Sequence, residues 1–212
     1  MKIFNLIFSV SILFTLNASG QKDPEAVRIL DKFSSSALGA PSVSMKFNLI
    51  TVDQAENRND TLSGSIVISN NKYKLELPEN IIWFNGDISW SYLPVEKEVT
   101  ITKPDRKDDS FQSKPSAVFS MYKKGYKSRL IEERNDSYII DLYPEDLKSD
   151  LIRVRLSIGK SPMNLKSLEY KKKDGLVINV SIKDYNLKIK PDPSFFTFSP
   201  EKFKGVEVID MR

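Results

Sequence analysis

The chain has no cysteine and no histidine among its 212 residues. The absence of cysteine excludes disulfides, thiolate nucleophiles and cysteine-ligated zinc. The absence of histidine removes the usual general base, the commonest metal ligand and every Ser-His-Asp arrangement. The sequence also lacks the glycine-rich loops that bind nucleotide phosphates. It therefore predicts no metal, no cofactor and no enzymatic activity.

The acidic residues give little support for catalysis. Asp105, Asp108 and Asp109 lie in a charged segment between more apolar stretches. Glu132 and Glu133 are adjacent, so on a strand their side chains would point to opposite faces. A glycosidase that uses two carboxylates is the alternative, but solvated surface charge is the interpretation we favour.

The first twenty residues differ in composition from the rest. Lys2 precedes an apolar run over residues 3–16, and Ala18-Ser19-Gly20 follows it. This order is typical of a secretory signal peptide, here cleaved before Gln21. A membrane anchor is the alternative, although the run is short for a membrane span. We expect residues 1–20 to be a signal peptide and residues 21–212 to form a single soluble domain in the periplasm.

The formal net charge is +4, and the lysines are scattered along the chain. A modest positive charge is compatible with anionic membrane surfaces or acidic partners. An exported protein rarely meets nucleic acid, so we expect no nucleic-acid partner. A charged surface that keeps the protein soluble is the simplest interpretation.

Alternating apolar residues dominate residues 73–103. Such a period of two predicts strands that bury one face. Asn85-Gly86 lies between two of these runs and predicts a two-residue type I′ hairpin turn. The alternating apolar residues are Tyr73, Leu75 and Leu77, then Ile88, Trp90 and Tyr92, then Val99 and Ile101.

Similar short runs recur about every ten residues through the rest of the chain. They predict about ten or eleven strands, and hence a mainly β fold as an antiparallel sandwich or barrel. Gly64 falls inside one predicted strand and indicates a bulge or bend there.

Two helical segments interrupt this pattern. Asp23-Pro24-Glu25 provides an N-cap, a proline at the first helical position and a favourable acidic charge. An apolar stripe at helical spacing follows it, and a second, short helix begins at Pro115. We expect both helices to cover an apolar surface as a lid, with the side chains Val27, Leu30, Phe33, Val118, Phe119 and Tyr122.

The aromatic residues are numerous for a chain of this size. They could pack a closed core, or a curled sheet could enclose an apolar cavity, which would suit acyl chains. We take the second interpretation as the working hypothesis. Its candidate cavity residues, chosen by alternation alone, are Phe47, Leu75, Leu77, Trp90, Tyr92, Val99 and Ile101.

Two motifs, in this order, carry a family resemblance. Trp90, Tyr92 and Pro94 form a W-x-Y-x-P segment, and a second motif closes the chain. Together with the signal peptide and the two helices, they resemble the LolA family of periplasmic lipoprotein carriers over nearly all of the mature chain. The second motif consists of Phe196, Phe198, Pro200, Gly205, Val206, Val208 and Asp210.

The resemblance implies an incomplete antiparallel β-barrel of about eleven strands, with a helical lid over a hydrophobic cavity. It also implies a monomeric carrier that takes acylated lipoproteins from an inner-membrane ABC-type releasing complex to an outer-membrane acceptor. A binder of another lipid or of a glycolipid on the same fold is one alternative. An enzyme or a structural β-protein with a filled core is the other.

One departure from the family concerns the lid. Many members have an arginine near the turn after the glycine-containing strand, and it ties the lid closed. This chain has Ser69-Asn70-Asn71-Lys72 at that place. We therefore expect Lys72, an asparagine or a different contact to hold the lid.

Overall fold

The computed structural model describes residues 23–104 and 114–212. The predicted signal peptide at residues 1–20 and the acidic residues Asp105, Asp108 and Asp109 lie outside the described residues. Within these residues the chain forms one α-helix, twelve strands and four short 3-10 helices.

The helix α1 spans Pro24–Leu38. The strands are β1 (Val43–Asp53), β2 (Arg58–Ser69), β3 (Lys72–Glu76), β4 (Ile81–Phe84), β5 (Ser89–Leu93), β6 (Glu98–Thr102), β7 (Tyr126–Glu133), β8 (Ser137–Pro144), β9 (Leu151–Gly159), β10 (Leu165–Lys172), β11 (Leu176–Asn186) and β12 (Glu207–Asp210). The 3-10 helices are η1 (Pro115–Phe119), η2 (Met121–Lys123), η3 (Pro193–Phe196) and η4 (Pro200–Lys202).

All twelve strands belong to one sheet, in the order β12-β6-β5-β4-β3-β2-β1-β11-β10-β9-β8-β7. Neighbouring strands are antiparallel, except that β12 pairs with β6 in parallel. The sheet is open, with β7 and β12 at its edges. The prediction of an incomplete antiparallel barrel with a helical lid is confirmed, and β12 brings the strand number to twelve.

The start of α1 follows the predicted capping chemistry. The Oδ1 atom of Asp23 accepts hydrogen bonds from the backbone N–H groups of Glu25 at 3.0 Å and Ala26 at 3.3 Å. Pro24 occupies the first turn, where its missing N–H costs nothing. The predicted helix at Pro115 is present as η1 and η2.

The two faces of the sheet bury separate apolar cores. We call the face on which α1 lies the inner face. Its core contains buried side chains of α1, η1 and η2 together with those of seven strands. On the opposite, outer face of β4–β6, a smaller core is formed by Trp83, Trp90, Val99 and Phe198.

The predicted hairpin at Asn85-Gly86 is present between β4 and β5, but its predicted turn type and the bulge predicted at Gly64 are absent. The turn after β4 spans residues 85–88 because Phe84 pairs with Ser89. The side chain of Asn85 closes it by accepting from the N–H groups of Asp87 and Ile88, and only Gly86 has a positive φ there. Gly64, for its part, pairs regularly with Phe47 and causes no bulge.

Candidate functional site

The inner face of the sheet is covered by α1, η1 and η2. Leu30 and Phe33 of α1 are fully buried, and Phe119 of η1 is 1% exposed. The ring centroids of Phe33 and Phe119 lie 5.7 Å apart. These side chains belong to the same core as the inner-face residues of the strands. They therefore fill space that an apolar ligand on this face would have to share.

The start of α1 is bonded to the edge strand β7. The Oδ2 atom of Asp23 accepts a hydrogen bond from the backbone N–H of Leu130 at 2.9 Å, and its own N–H donates to the carbonyl oxygen of Ser128 at 3.2 Å. The hydrogen bond from Leu130 is the main reason that the pKa of Asp23 lies below its usual value. The carboxylate is thus ionised near neutral pH and joins the lid to the sheet.

A second polar contact joins the two parts of the lid. The hydroxyl of Tyr122 in η2 donates to Oδ1 of Asp31 in α1 at 2.5 Å. Burial and this hydrogen bond raise the pKa of Tyr122 to about 12, so the hydroxyl keeps its proton at neutral pH. α1 and η2 are therefore linked to each other as well as to the core.

The inner face continues beyond the part that α1 covers. Burial along β1 falls from Val43, Met45 and Phe47, which are buried, to Leu49, which is half-buried. Because α1 ends just before β1, it lies closest to the start of that strand. Half-buried aliphatic side chains on this continuation are Leu49, Leu62, Leu77 and Ile178.

Gly64 makes room on this surface. A Cβ atom at this position would lie 2.8 Å from Cζ of Phe47 and 2.7 Å from Cδ2 of Leu77. Both distances are shorter than a van der Waals contact, so glycine allows these side chains to lie directly over the backbone of β2.

The structure does not bring all the predicted cavity residues to one face. Phe47, Leu75 and Leu77 lie on the inner face with the lid. Leu75 pairs with Ile82, and Ile82 pairs with Ser91. The inner face therefore continues to Ser91, and the other predicted residues lie on the outer face, which corrects our choice by alternation alone. These outer-face residues are Trp90, Tyr92, Val99 and Ile101.

The outer-face residues pack against the C-terminal segment. The ring centroids of Trp83 and Phe198 lie 5.5 Å apart, and those of Tyr92 and Phe203 lie 4.8 Å apart. Phe198 and Phe203 stack at 5.0 Å. The two sequence motifs that carried the resemblance thus meet in this outer core.

The predicted lid residues are placed as follows. Leu30, Phe33, Val118, Phe119 and Tyr122 are buried in the inner core. Val27 is only half-buried. Ala26, Ile29 and Ala37 are buried on the same side of α1.

The turn that lacks the family's arginine packs against a neighbouring turn. The side-chain amide nitrogen of Asn71 lies 2.7 Å from where a Cβ atom of Gly86 would be, so Asn71 contacts the turn between β4 and β5. The lid helix itself is held by the contacts of Asp23 and Asp31 described above.

The most buried carboxylate among the described residues lies on the outer face, away from the lid. Asp141 is 1% exposed and accepts two hydrogen bonds from Arg155, at 2.6 Å and 2.8 Å. Burial alone would raise the pKa of Asp141, but the bonds from Arg155 lower it overall. This arrangement is typical of a structural ion pair, because the buried charge is fully matched.

The part of the chain that the structure describes contains no group of three acidic residues placed to hold a metal ion. Over the same residues, no helix is both long enough and apolar enough to cross a membrane.

Comparison with known families and structures gives a consistent result. A family model described as "Outer membrane lipoprotein carrier protein LolA" matches residues 16–172. The comparison with curated proteins finds no match.

Among solved structures, an uncharacterized conserved protein from Thermus thermophilus matches with a TM-score of 0.58 and 11% identity, over 88% of this chain and 99% of the other. A LolA superfamily protein from Nitrosomonas europaea matches with a TM-score of 0.42 and 16% identity, over 82% and 97%. The lipoprotein LppX from Mycobacterium tuberculosis matches with a TM-score of 0.49 and 12% identity, over 81% and 100%. At these identities, the first of the three similarities establishes the fold alone.

Proposed function

Because the chain belongs to the family of outer membrane lipoprotein carrier proteins, LolA, we propose that it binds acyl chains on the inner face of its sheet. In the finer form of the proposal, it is a periplasmic chaperone that carries lipoproteins from the inner to the outer membrane. Its partners would be acylated lipoproteins, an inner-membrane ABC-type releasing complex and an outer-membrane acceptor. It would act as a monomer, in a single domain, after cleavage of the signal peptide.

The observation that carries the proposal is an apolar inner face whose cover is a helix and two short turns of 3-10 helix. The cover contributes Phe33 and Phe119, which are 0% and 1% exposed. A ligand that enters must displace them, and an acyl chain is the ligand that replaces apolar contacts with apolar contacts.

The free energies of burying an acyl chain favour such a competition. Burying a methylene contributes about 0.8 kcal/mol, so a fully enclosed chain of about fourteen methylenes would contribute roughly 11 kcal/mol. A carrier that bound its cargo with all of this energy would release it very slowly. Displacing Phe33 and Phe119 offsets part of the gain and allows transfer to an acceptor.

The aliphatic continuation of the inner face gives a direct test. Leu62 and Val67 are both half-buried on β2 but lie on opposite faces, because Leu62 pairs with Leu49 and Val67 with Ser44. We expect Leu62→Asn to weaken the binding of an apolar fluorescent probe roughly tenfold. The matched variant Val67→Asn should bind the probe as the wild type does. Equal affinity in the two variants, with both folded by circular dichroism, would refute binding on the inner face.

A binder of another lipid or of a glycolipid is the alternative on the same site. The two are separated by purifying the protein from its native envelope and identifying the co-purified material by mass spectrometry. Acylated polypeptides would support the carrier, and free lipid alone would favour the alternative.

A further inference from the structure

Two turns present large apolar side chains almost completely to solvent. Val95, in the turn between β5 and β6, is 83% exposed, and Leu147, between β8 and β9, is 88% exposed. The third most exposed large apolar residue among those described is Met211 at 67%. Single exposed apolar residues are common, so only the position of these two in the fold can show whether they form part of a binding surface.

Both turns lie at the same end of the sheet. Turns alternate between the two ends of an antiparallel meander, so those after β1, β3 and β5 share one end. Asp53 at the end of β1 pairs with Leu176 at the start of β11, and Leu151 at the start of β9 pairs with Lys172. The turns after β8 and β10 therefore lie at that end too.

This is also the end at which the inner face extends beyond α1. Leu77 directly follows β3 there, and Leu49 and Ile178 lie on the adjoining parts of β1 and β11. Val95 and Leu147 are near opposite edges of the sheet, so the aliphatic continuation of the inner face lies between them.

The turn that carries Leu147 is held in place. Oδ1 of Asp146 accepts from the N–H of Lys148 at 2.9 Å, and its carbonyl oxygen accepts from Ser149 at 3.1 Å. The ammonium of Lys173 donates to the carbonyl oxygen of Leu147 at 2.8 Å. An apolar side chain at the tip of a braced turn can enter an apolar phase without first being ordered.

We propose that this end of the sheet docks on a phospholipid bilayer by inserting Val95 and Leu147. The inference rests on the proposed function, because it places the open part of the lipid site against the membrane that supplies or receives the acyl chain. The two side chains do not form one continuous patch, which suits a flat lipid surface better than a protein partner. The turn of Val95 carries one charge of each sign, in Glu96 and Lys97, whereas the turn of Leu147 carries Glu145, Asp146 and Asp150 against Lys148 alone. Because the second turn is net acidic, insertion is driven by apolar burial and not by attraction to anionic lipids.

The test is co-sedimentation of the protein, without cargo, with phosphatidylcholine vesicles. We expect Val95→Ser and Leu147→Ser each to weaken vesicle binding by roughly tenfold, and the double variant by about the product of the two factors. The matched control is Met211→Ser, because Met211 follows β12 at the opposite end of the sheet. It should bind vesicles as the wild type does. Because the turn of Leu147 is net acidic, adding phosphatidylglycerol to the vesicles should not strengthen binding.

Wild-type protein that does not bind these vesicles, or a double variant that binds them as the wild type does, would overturn the proposal. So would an equal loss in Met211→Ser, or binding that appears only with phosphatidylglycerol. Probe binding by the double variant separates this inference from the proposed function. We expect the double variant to bind the apolar probe as the wild type does. A protein that binds vesicles but does not bind the probe on its inner face would count against the proposed function alone.

Discussion

The carboxylate of Asp23 accepts a hydrogen bond from the backbone N–H of Leu130 at 2.9 Å, across 107 positions of sequence. The same carboxylate caps α1 through its other oxygen. One side chain therefore starts the lid helix and attaches it to the edge strand of the sheet. Any force that opens the lid from this end must break a charge-assisted hydrogen bond.

Asp23→Asn separates these two roles. Asparagine is a good N-cap, but its amide nitrogen cannot accept from Leu130. We expect the free energy of unfolding to fall by about 1 kcal/mol and the amide protons of α1 to exchange faster. An apolar probe should bind more tightly because the lid is easier to displace. Asp23→Ala, which loses both roles, should show a larger loss of stability than Asp23→Asn; equal losses would contradict the division of roles.

The same carboxylate predicts a dependence on pH. Its pKa in the folded protein lies below the usual value of 3.8, chiefly because of the hydrogen bond from Leu130. Folding therefore favours the ionised form. The stability that Asp23 contributes is present above its unfolded pKa and is lost as the pH falls through the folded pKa.

The measurement is the difference in unfolding free energy between the wild type and Asp23→Asn as a function of pH. The Asp23 charge also raises the pKa of the neighbouring Glu25, so the difference reports Asp23 together with its coupling to Glu25, while carboxylates far from Asp23 cancel. It should be constant near neutral pH and shrink below about pH 4. A difference that grows on acidification would contradict the assigned direction of the pKa shift.

The chain's only two tryptophans, Trp83 and Trp90, face each other in register on the outer face. We therefore expect an acyl ligand on the inner face to leave tryptophan emission nearly unchanged. Phe203→Ala, which removes a ring 5.7 Å from Trp83, should shift the emission to longer wavelength. A tryptophan placed on the inner face by Leu49→Trp is the positive control, and its emission should respond to the ligand.

The sequence predicted the fold, and it predicted which residues share one face of a strand. It did not predict whether that face belongs to the inner or the outer side of the sheet. Alternation correctly grouped Trp90 with Tyr92 and Val99 with Ile101, because side chains two apart on a strand share a face. It did not show which face of the sheet each pair occupies. The four consecutive apolar residues of β4 were the available signal, since such a run indicates a strand buried on both faces.

The contacts that hold the lid had no local sequence signal. Asp23 was predicted as a helix cap, and it is one, but its bond to Leu130 depends on where the edge strand passes. Tyr122 and Asp31 are 91 positions apart. Such pairings follow from the path of the whole sheet, and a pattern within ten or fifteen residues carries no information on them.

The competition between lid and ligand predicts that a substitution which lowers the stability of the fold raises ligand affinity only if it removes part of the lid or its contacts. Phe33→Ala removes a fully buried ring from the lid side of the inner core. We expect a loss of about 3–5 kcal/mol in unfolding free energy and tighter binding of the apolar probe, because less of the protein's own apolar surface must be displaced.

Phe198→Ala is the matched control, because it removes a buried ring from the outer core. It should cost a similar free energy of unfolding and leave probe affinity unchanged. The pair separates a specific competition from general loosening of the fold. If both variants gained probe affinity equally, general loosening of the fold would be the cause. Phe33 would then not compete with the ligand for space on the inner face.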